Sequence, residues 1–225
     1  MRYKFYREHK YVSFALNDLE RQIAKTDFRV FQDIEKIKSA FEAVVELLKG
    51  HAEYENSSLH ELLRKKQSPV YQRVEADHQH YDDVLDSLSL RLEKILAEQN
   101  ADERVEAGYQ FYLWYRKFVG ENLLHLHEEE TIILPELQRL YTDQELKAVE
   151  AETYRRMTPE EMIDMMRVLF PHMNPDDKEA FLADIKECQP EKFIEAWQGI
   201  QSCLSAKEQQ TLVQKLGLRS LSTSE

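Results

Sequence analysis

Residues 123–137 read LLHLHEEETIILPEL. Two histidines and three glutamates sit between apolar ends, so the stretch does not read as a simple surface loop. A helix turns 100° per residue, so positions four apart lie about 40° apart on one face. His125 and Glu129 therefore share a face, while His127 lies about 200° from His125 and points to the rim. Glu128 and Glu130 likewise read as solvated or interfacial positions. The stretch continues backward through Phe111, Tyr115, Phe118 and Asn122 and forward through Ile132 and Leu140, in steps near the helix period. A segment over about 103–141 follows, with Pro135 bending or shortening its last turns.

A second His-x-x-x-Glu, His51 to Glu55, lies in another such segment, about 30–66, whose stripe is Val30, Ile34, Ile37, Phe41, Val44, Leu48, His51, Glu55, Leu59 and Leu62. Ser68-Pro69 ends it. A third segment, about 70–99, carries Val74, His78, Tyr81, Leu85, Leu88, Leu92 and Ile95. His80 is out of phase with His78. Asn100-Ala-Asp102 reads as a cap and turn. The first segment, about 6–24, places His9 in phase with Tyr6, Ser13 and Leu16. Four long amphipathic helices with short connections predict an all-α, up-down-up-down four-helix bundle.

Past residue 142 the pattern shortens. Thr142-Asp143 caps a helix to about 155, and Thr158-Pro159, Asn174-Pro175, Gln189-Pro190 and Ser205 open shorter ones. The expected division is a bundle over 1–142, a connecting helix over 143–156, a small all-helical module over 157–217 and a disordered tail over 218–225. Phe170, Phe181, Leu182, Ile185, Phe193, Trp197, Leu204 and Leu212 are the module's expected core. The methionines between 157 and 173 read as helix core rather than a soft-metal box, and His172 as decoration of a turn.

The chain has 225 residues, a formal net charge of −12, five Gly, six Pro and two Cys. The charge argues against nucleic acid and anionic membrane surfaces as partners. There is no apolar run of membrane length and no signal-peptide pattern, and Cys188 and Cys203 fit neither a zinc motif nor a disulfide framework. A cytoplasmic, reducing setting is the expectation. HExxH, GxSxG and Gly-rich phosphate loops are absent from the sequence.

Each of the four bundle helices thus presents a histidine in core phase, and two add a carboxylate. A buried carboxylate without a compensating charge costs several kcal/mol, so the set calls for a cation. Imidazole with carboxylate suits iron, manganese or zinc, and two facing glutamates suit a two-metal site. His60, nine residues beyond His51, is expected outside the ligand layer. Tyr54, Tyr81, Tyr112, Tyr115 and Asn122 are candidates for hydrogen bonds that orient ligands, or for core positions with a satisfied polar tip.

His9, His51-xxx-Glu55, His78 and His125-xxx-Glu129, with the apolar run to Leu134-Pro135, resemble the hemerythrin-like (HHE) domain over about residues 5–141. The resemblance implies a non-haem di-iron centre with His9, His51, His78 and His125 as terminal ligands and Glu55 and Glu129 as bridges. Zinc or manganese could occupy the same donors in a purified sample. Oxygen-carrying members usually add a fifth histidine, often four after that of the third helix; here that position is Asp82. Some sensory members place a carboxylate directly after the second-helix histidine; here it is Ala52. A four-His, two-Glu set is similar to the iron–sulfur repair type more than to the oxygen carriers. The resemblance implies binding or sensing of O2, NO, iron or redox state, with a di-iron enzyme as the competing reading and a metal-free helical interaction module as the third. A protein partner at the C-terminal module completes the expectation.

Overall fold

The computed structural model describes residues 2–218, excepting the side chains of residues 73–77. The described residues are helical, with no strand among them. By contact the chain divides into two compact units, residues 12–140 and residues 1–11 together with 141–225. The bundle is expected over 1–142, whereas by contact the first eleven residues group with the C-terminal part. The expected disordered tail falls on residues 219–225, outside the described residues, apart from Leu218.

The first unit is the four-helix bundle. Its helices are α1 (His9–Ile23, from Val12 onward in this unit), α2 (Phe31–Ser57), α4 (Tyr71–Ala97) and α5 (Ala101–Glu128), with the short α3 (Leu59–Lys65) and α6 (Leu134–Leu140) as extensions. The apolar stripes meet in one core. Val12, Leu16, Leu19 and Ile23 come from α1, and Ile34, Ile37, Phe41, Val44 and Leu48 from α2. Leu85, Leu88, Leu92 and Ile95 come from α4, and Phe111, Tyr115, Phe118 and Val119 from α5. Burying a side chain of this size stabilises by about 1.5–3 kcal/mol, so this layer holds the bundle together. One end is closed by Arg104. Its guanidinium donates to the carbonyls of Phe28 (3.1 Å), Arg29 (2.9 Å), Glu98 (3.0 Å) and Gln99 (3.1 Å), tying the α1–α2 connection to the α4–α5 turn. Asn100 caps α5, accepting from the Asp102 and Glu103 amides.

Three details depart from the periodicity. The first helix starts at His9, because Tyr6 has φ +69° and leaves the right-handed region. Val30, expected in the core stripe, is exposed at the entry to α2. The expected single helix over 30–66 is two helices broken at Ser58, whose hydroxyl turns back onto the Tyr54 carbonyl. Leu59 is buried as the stripe expects, but the break shifts the phase beyond it, so His60 and Leu63 are buried in α3 and Leu62 only partly so. A comparable shift ends α5. Residues Glu129–Ile133 form a π-helical turn in which the Leu134 amide reaches the Glu129 carbonyl. Pro135 follows with no N–H to donate and a ring that crowds the carbonyl four residues back. The extra residue in the turn rotates the face by one position: Ile132, expected inside, is 38% exposed, whereas Ile133 and Leu137 are buried. Val74 of the expected α4 stripe lies outside the described side chains.

The second unit contains α7 (Asp143–Arg156), α8 (Pro159–Leu169), α9 (Pro175–Cys188), α10 (Pro190–Ile200) and α11 (Ala206–Lys215). Thr142, Thr158 and Ser205 each form a capping box with a glutamate three residues on, and Asn174 caps α9. Proline opens α8, α9 and α10, where a missing N–H costs nothing. The core contains the eight residues anticipated above together with Met162, Met166, Tyr154 and Ile200. The chain's first residues belong here. Arg2 donates to Asp143 (2.8 Å), Tyr3 to Glu150 (2.6 Å) and Arg7 to Asp184 (2.9 Å).

Candidate metal centre

Beyond the apolar layer of the bundle, α2, α4 and α5 turn their core face polar. Glu55 and Glu129 are both 0% exposed. His51 Nε2 lies 3.3 Å from Glu55 Oε1, and His125 Nε2 lies 3.1 Å from Glu129 Oε1, so each His-x-x-x-Glu pair does meet on one face. His78 joins them from α4. Its Nε2 is 3.1 Å from His125 Nε2, 3.5 Å from Glu55 Oε2 and 3.8 Å from Glu129 Oε1. Two nitrogen ligands in adjacent positions about 2.1 Å from one ion stand about 3 Å apart, so these spacings suit donors converging on a cation. His80, His127 and Glu130 are exposed and Glu128 is half-buried.

His60, expected outside this layer, lies within it. The break at Ser58 brings it inward on α3, where it is 1% exposed. Its ring centroid is 5.0 Å from that of His78. Burial above all, and then the neighbouring His78, push its pKa down to about 3, so the ring is neutral at pH 7. Simple periodicity does not show it, because the phase of α2 does not carry through the break at Ser58. The Ser-Ser pair preceding Leu59 was the available signal.

Asn56 is a second residue that periodicity missed. Its Oδ1 lies 3.0 Å from His60 Nδ1 and 3.0 Å from His78 Nδ1. One amide oxygen accepts from both rings, which places a proton on each Nδ1 and leaves each Nε2 with a lone pair; that of His78 faces the carboxylates. An outer partner that fixes the tautomer is the usual companion of a ligating histidine.

The other candidate orienting residues divide. Tyr81 packs its ring 5.0 Å from that of His125 and donates to the Glu121 carbonyl. Asn122 donates to the Phe118 carbonyl at 3.0 Å. Tyr115 sits in the apolar layer and donates to the Leu16 carbonyl at 3.3 Å, so its hydroxyl serves the core. Tyr112 is half-buried with the Arg116 guanidinium 4.8 Å above its ring. Tyr54 is half-buried on α2 and gives its carbonyl to Ser58. His9 is buried as the first residue of α1 and stacks on Tyr6 with centroids 4.6 Å apart. By contact it groups with the second unit.

A cavity of ≈ 30 Å³ adjoins the cluster, lined by His51, His78 and His125 and otherwise mostly by apolar side chains, among them Leu48, Leu85 and Phe118. That is room for a molecule of water or diatomic size.

The donor set fits metal. His51, Glu55 and Glu129 offer atoms within 4.8 Å of one another, and so do Glu55, His60, His78 and Glu129. The two groups share both carboxylates, the arrangement two bridged ions require. No helix among the described residues is long and apolar enough to cross a membrane. No curated protein and no solved structure matches the chain. A family description, the hemerythrin HHE cation-binding domain, matches residues 1–137, well over half of the sequence and all of the helices that carry the donors. The chain belongs to the hemerythrin HHE cation-binding family.

Proposed function

We propose that this protein holds a carboxylate-bridged pair of non-haem irons and uses it to bind or sense a small diatomic molecule, O2 or NO, or the iron and redox state itself. His51, His78 and His125 would be terminal ligands and Glu55 and Glu129 the bridges. His9 would complete the four-His, two-Glu set. It lies three residues before Val12, on the face of α1 that continues through the buried Leu16, Leu19 and Ile23. Zinc or manganese could occupy the same donors. The helical module at 157–217 would pass the state to a protein partner.

One observation carries this reading: two wholly buried carboxylates are shared between facing imidazole groups beside a small, mostly apolar cavity. When bound, iron supplies a redox-active Lewis acid with positions open to a small ligand. The chain supplies the rest. Glu55 and Glu129 offset the cationic charge, Asn56 sets the tautomers of His78 and His60, and Leu48, Leu85, Phe118 and Leu126 keep the approach apolar. Enzymatic use of the same donors, as an oxidase, a peroxidase-like protein or a nitrosative-stress repair factor, is separated by turnover.

The test is metal analysis of anaerobically purified protein with optical spectra before and after air. About two irons per chain and new near-ultraviolet bands on oxidation are expected. Bands that reverse when the gas is removed favour binding or sensing, whereas sustained consumption of H2O2 or NO favours the enzyme. His51→Ala and Glu129→Ala should each lose the site. Metal kept at full stoichiometry in both variants, or no iron taken up by the wild type, would sink the reading.

A further inference from the structure

We propose that His60 is a fifth histidine ligand of this centre, delivered by α3 rather than by the long bundle helices. The inference deepens the di-metal reading above and rests on it.

His60 is 1% exposed, and its Nε2 is buried with no hydrogen-bond partner among the described residues. A buried imidazole nitrogen left without a partner keeps the cost of its lost hydration. Its other nitrogen is committed, since Nδ1–H donates to Asn56. Nε2 therefore carries a lone pair, and a ring nitrogen of His60 falls in one group of donor atoms with Glu55, His78 and Glu129, all within 4.8 Å of one another. A neutral imidazole with its outer nitrogen hydrogen-bonded and its inner nitrogen bare is the form that binds a metal.

The element carrying it is held in place. Leu59 and Leu63 flank His60 on α3 and are fully buried. Just beyond α3, the Ser68 hydroxyl donates to Glu136 of α6 at 2.7 Å. The break at Ser58 is what allows the geometry. A helix running straight on from Glu55 would advance His60 by 500°, about 140° away from the Glu55 face. The break returns it to the cluster. Asn56 then serves two rings from two helices with one oxygen, which ties His60 and His78 to a common orientation.

The consequence concerns open coordination positions. Each additional histidine removes one position that a small exogenous ligand could take. With His60 bound, the centre would hold five histidines and be more restricted than a four-histidine centre. That favours capture of one small ligand over multi-ligand chemistry.

The experiment uses the full chain and Co(II) as probe, titrated anaerobically into wild type, His60→Ala and His60→Gln. Optical spectra and proton NMR of the paramagnetically shifted imidazole N–H signals are the readouts. In the wild type the shifted N–H signals should include one from His60, about five in all for five ligated rings whose outer nitrogens carry protons. In both variants one shifted signal should vanish and the second equivalent of Co(II) should bind at least about tenfold more weakly. His60→Gln keeps a polar side chain near Asn56 and covers the case in which His60→Ala does not fold. Unchanged affinity with no shifted signal lost in the folded variant would overturn the proposal. Wild-type protein that takes up no Co(II) and no iron would overturn the metal reading itself, and the His60 proposal with it.

Discussion

Two buried carboxylate clusters, one in each unit, solve the same electrostatic problem in different ways. In the second unit Glu150 and Asp184 come with their own cation. Arg7 lies 3.6 Å from Glu150 and 2.9 Å from Asp184, Lys147 lies 3.3 Å from Asp184, and the hydroxyls of Tyr3 and Tyr154 donate to Glu150. In the bundle, Glu55 and Glu129 meet imidazoles: His51 and His78 for the first, His78 and His125 for the second. Guanidinium is a permanent charge with a fixed fork of donors. Imidazole is neutral near pH 7 unless perturbed and offers a lone pair. The first cluster is complete as a structural element, and the second is suited to receive a cation from outside. The difference is in the partners, since Asp184 is buried like Glu55 and Glu129 and the Glu150 side chain is only 13% exposed.

Removing the built-in cation should have the largest effect. Arg7→Met leaves Glu150 and Asp184 buried beside one fewer positive charge, and breaking a buried pair from one side costs about 3–5 kcal/mol. The expected result is a matching loss in denaturant unfolding of the second unit, followed by hydrogen exchange of α7 and α9. A loss below about 1 kcal/mol would mean that Lys147 and the tyrosine hydroxyls suffice, and the contrast between the clusters would weaken.

Next comes the protonation of Glu150. Burial, against the opposing pull of Arg7, raises its carboxyl to about 7 from the ordinary 4.5. A folded-state pKa above the unfolded one means that the stabilising contribution is full below about pH 4.5 and is lost as pH rises through about 7. At about 1.36 kcal/mol per unit, the loss between those limits is about 3 kcal/mol. Glu150→Gln should flatten this part of the stability profile between pH 5 and 8, as read by urea unfolding at each pH. A variant with the same pH slope as the wild type would assign the dependence elsewhere.

Withdrawing metal tests the other cluster. A ligand present at about a hundred times its Kd stabilises the form that binds it by about 2.7 kcal/mol. Chelation should therefore lower hydrogen-exchange protection in residues 51–60 and 122–133 by up to about a hundredfold while leaving α8 to α11 unchanged. Equal deprotection of both units would erase the distinction.

The smallest effect concerns the apolar layer. A Cβ added at Gly108 would sit 2.3 Å from Phe28 Cγ, within a ring that cannot fold aside. Alanine gains about 1 kcal/mol in helix propensity, but overpacking costs about 1–3 kcal/mol. Gly108→Ala should lower bundle stability by about 1 kcal/mol with metal content unchanged, checked by thermal unfolding and metal analysis. A drop in metal content would show that the apolar layer and the donor layer are not separable.

The helices of the bundle were legible because their period is local. Phe41, Leu48, Leu88, Phe118 and the two His-x-x-x-Glu pairs follow from 100° per residue and from where polar groups cost most. The capped starts at Thr142, Thr158, Asn174 and Ser205 were legible for the same reason, since a cap and its amides lie within four residues. Phase, however, accumulates along a helix, and any break resets it. The turn at Ser58 moved His60 inward and Leu62 partly outward, and the π turn ahead of Pro135 exchanged Ile132 for Ile133. Neither shift is visible to periodicity, because each depends on how the backbone resolves a local conflict against the packed core.

Sequence alone determined that this chain is helical, where most of its helices begin, and which residues could serve as donors, all of it short-range geometry plus the cost of burying charge. Only the tertiary structure decided that Asn56, already bonded to nearby His60, also meets His78 across 22 residues, or that Arg7 meets Asp184 across 177. Such pairings have no period to read. They exist because a burial cost on one segment is met by a group that the rest of the fold carries to it.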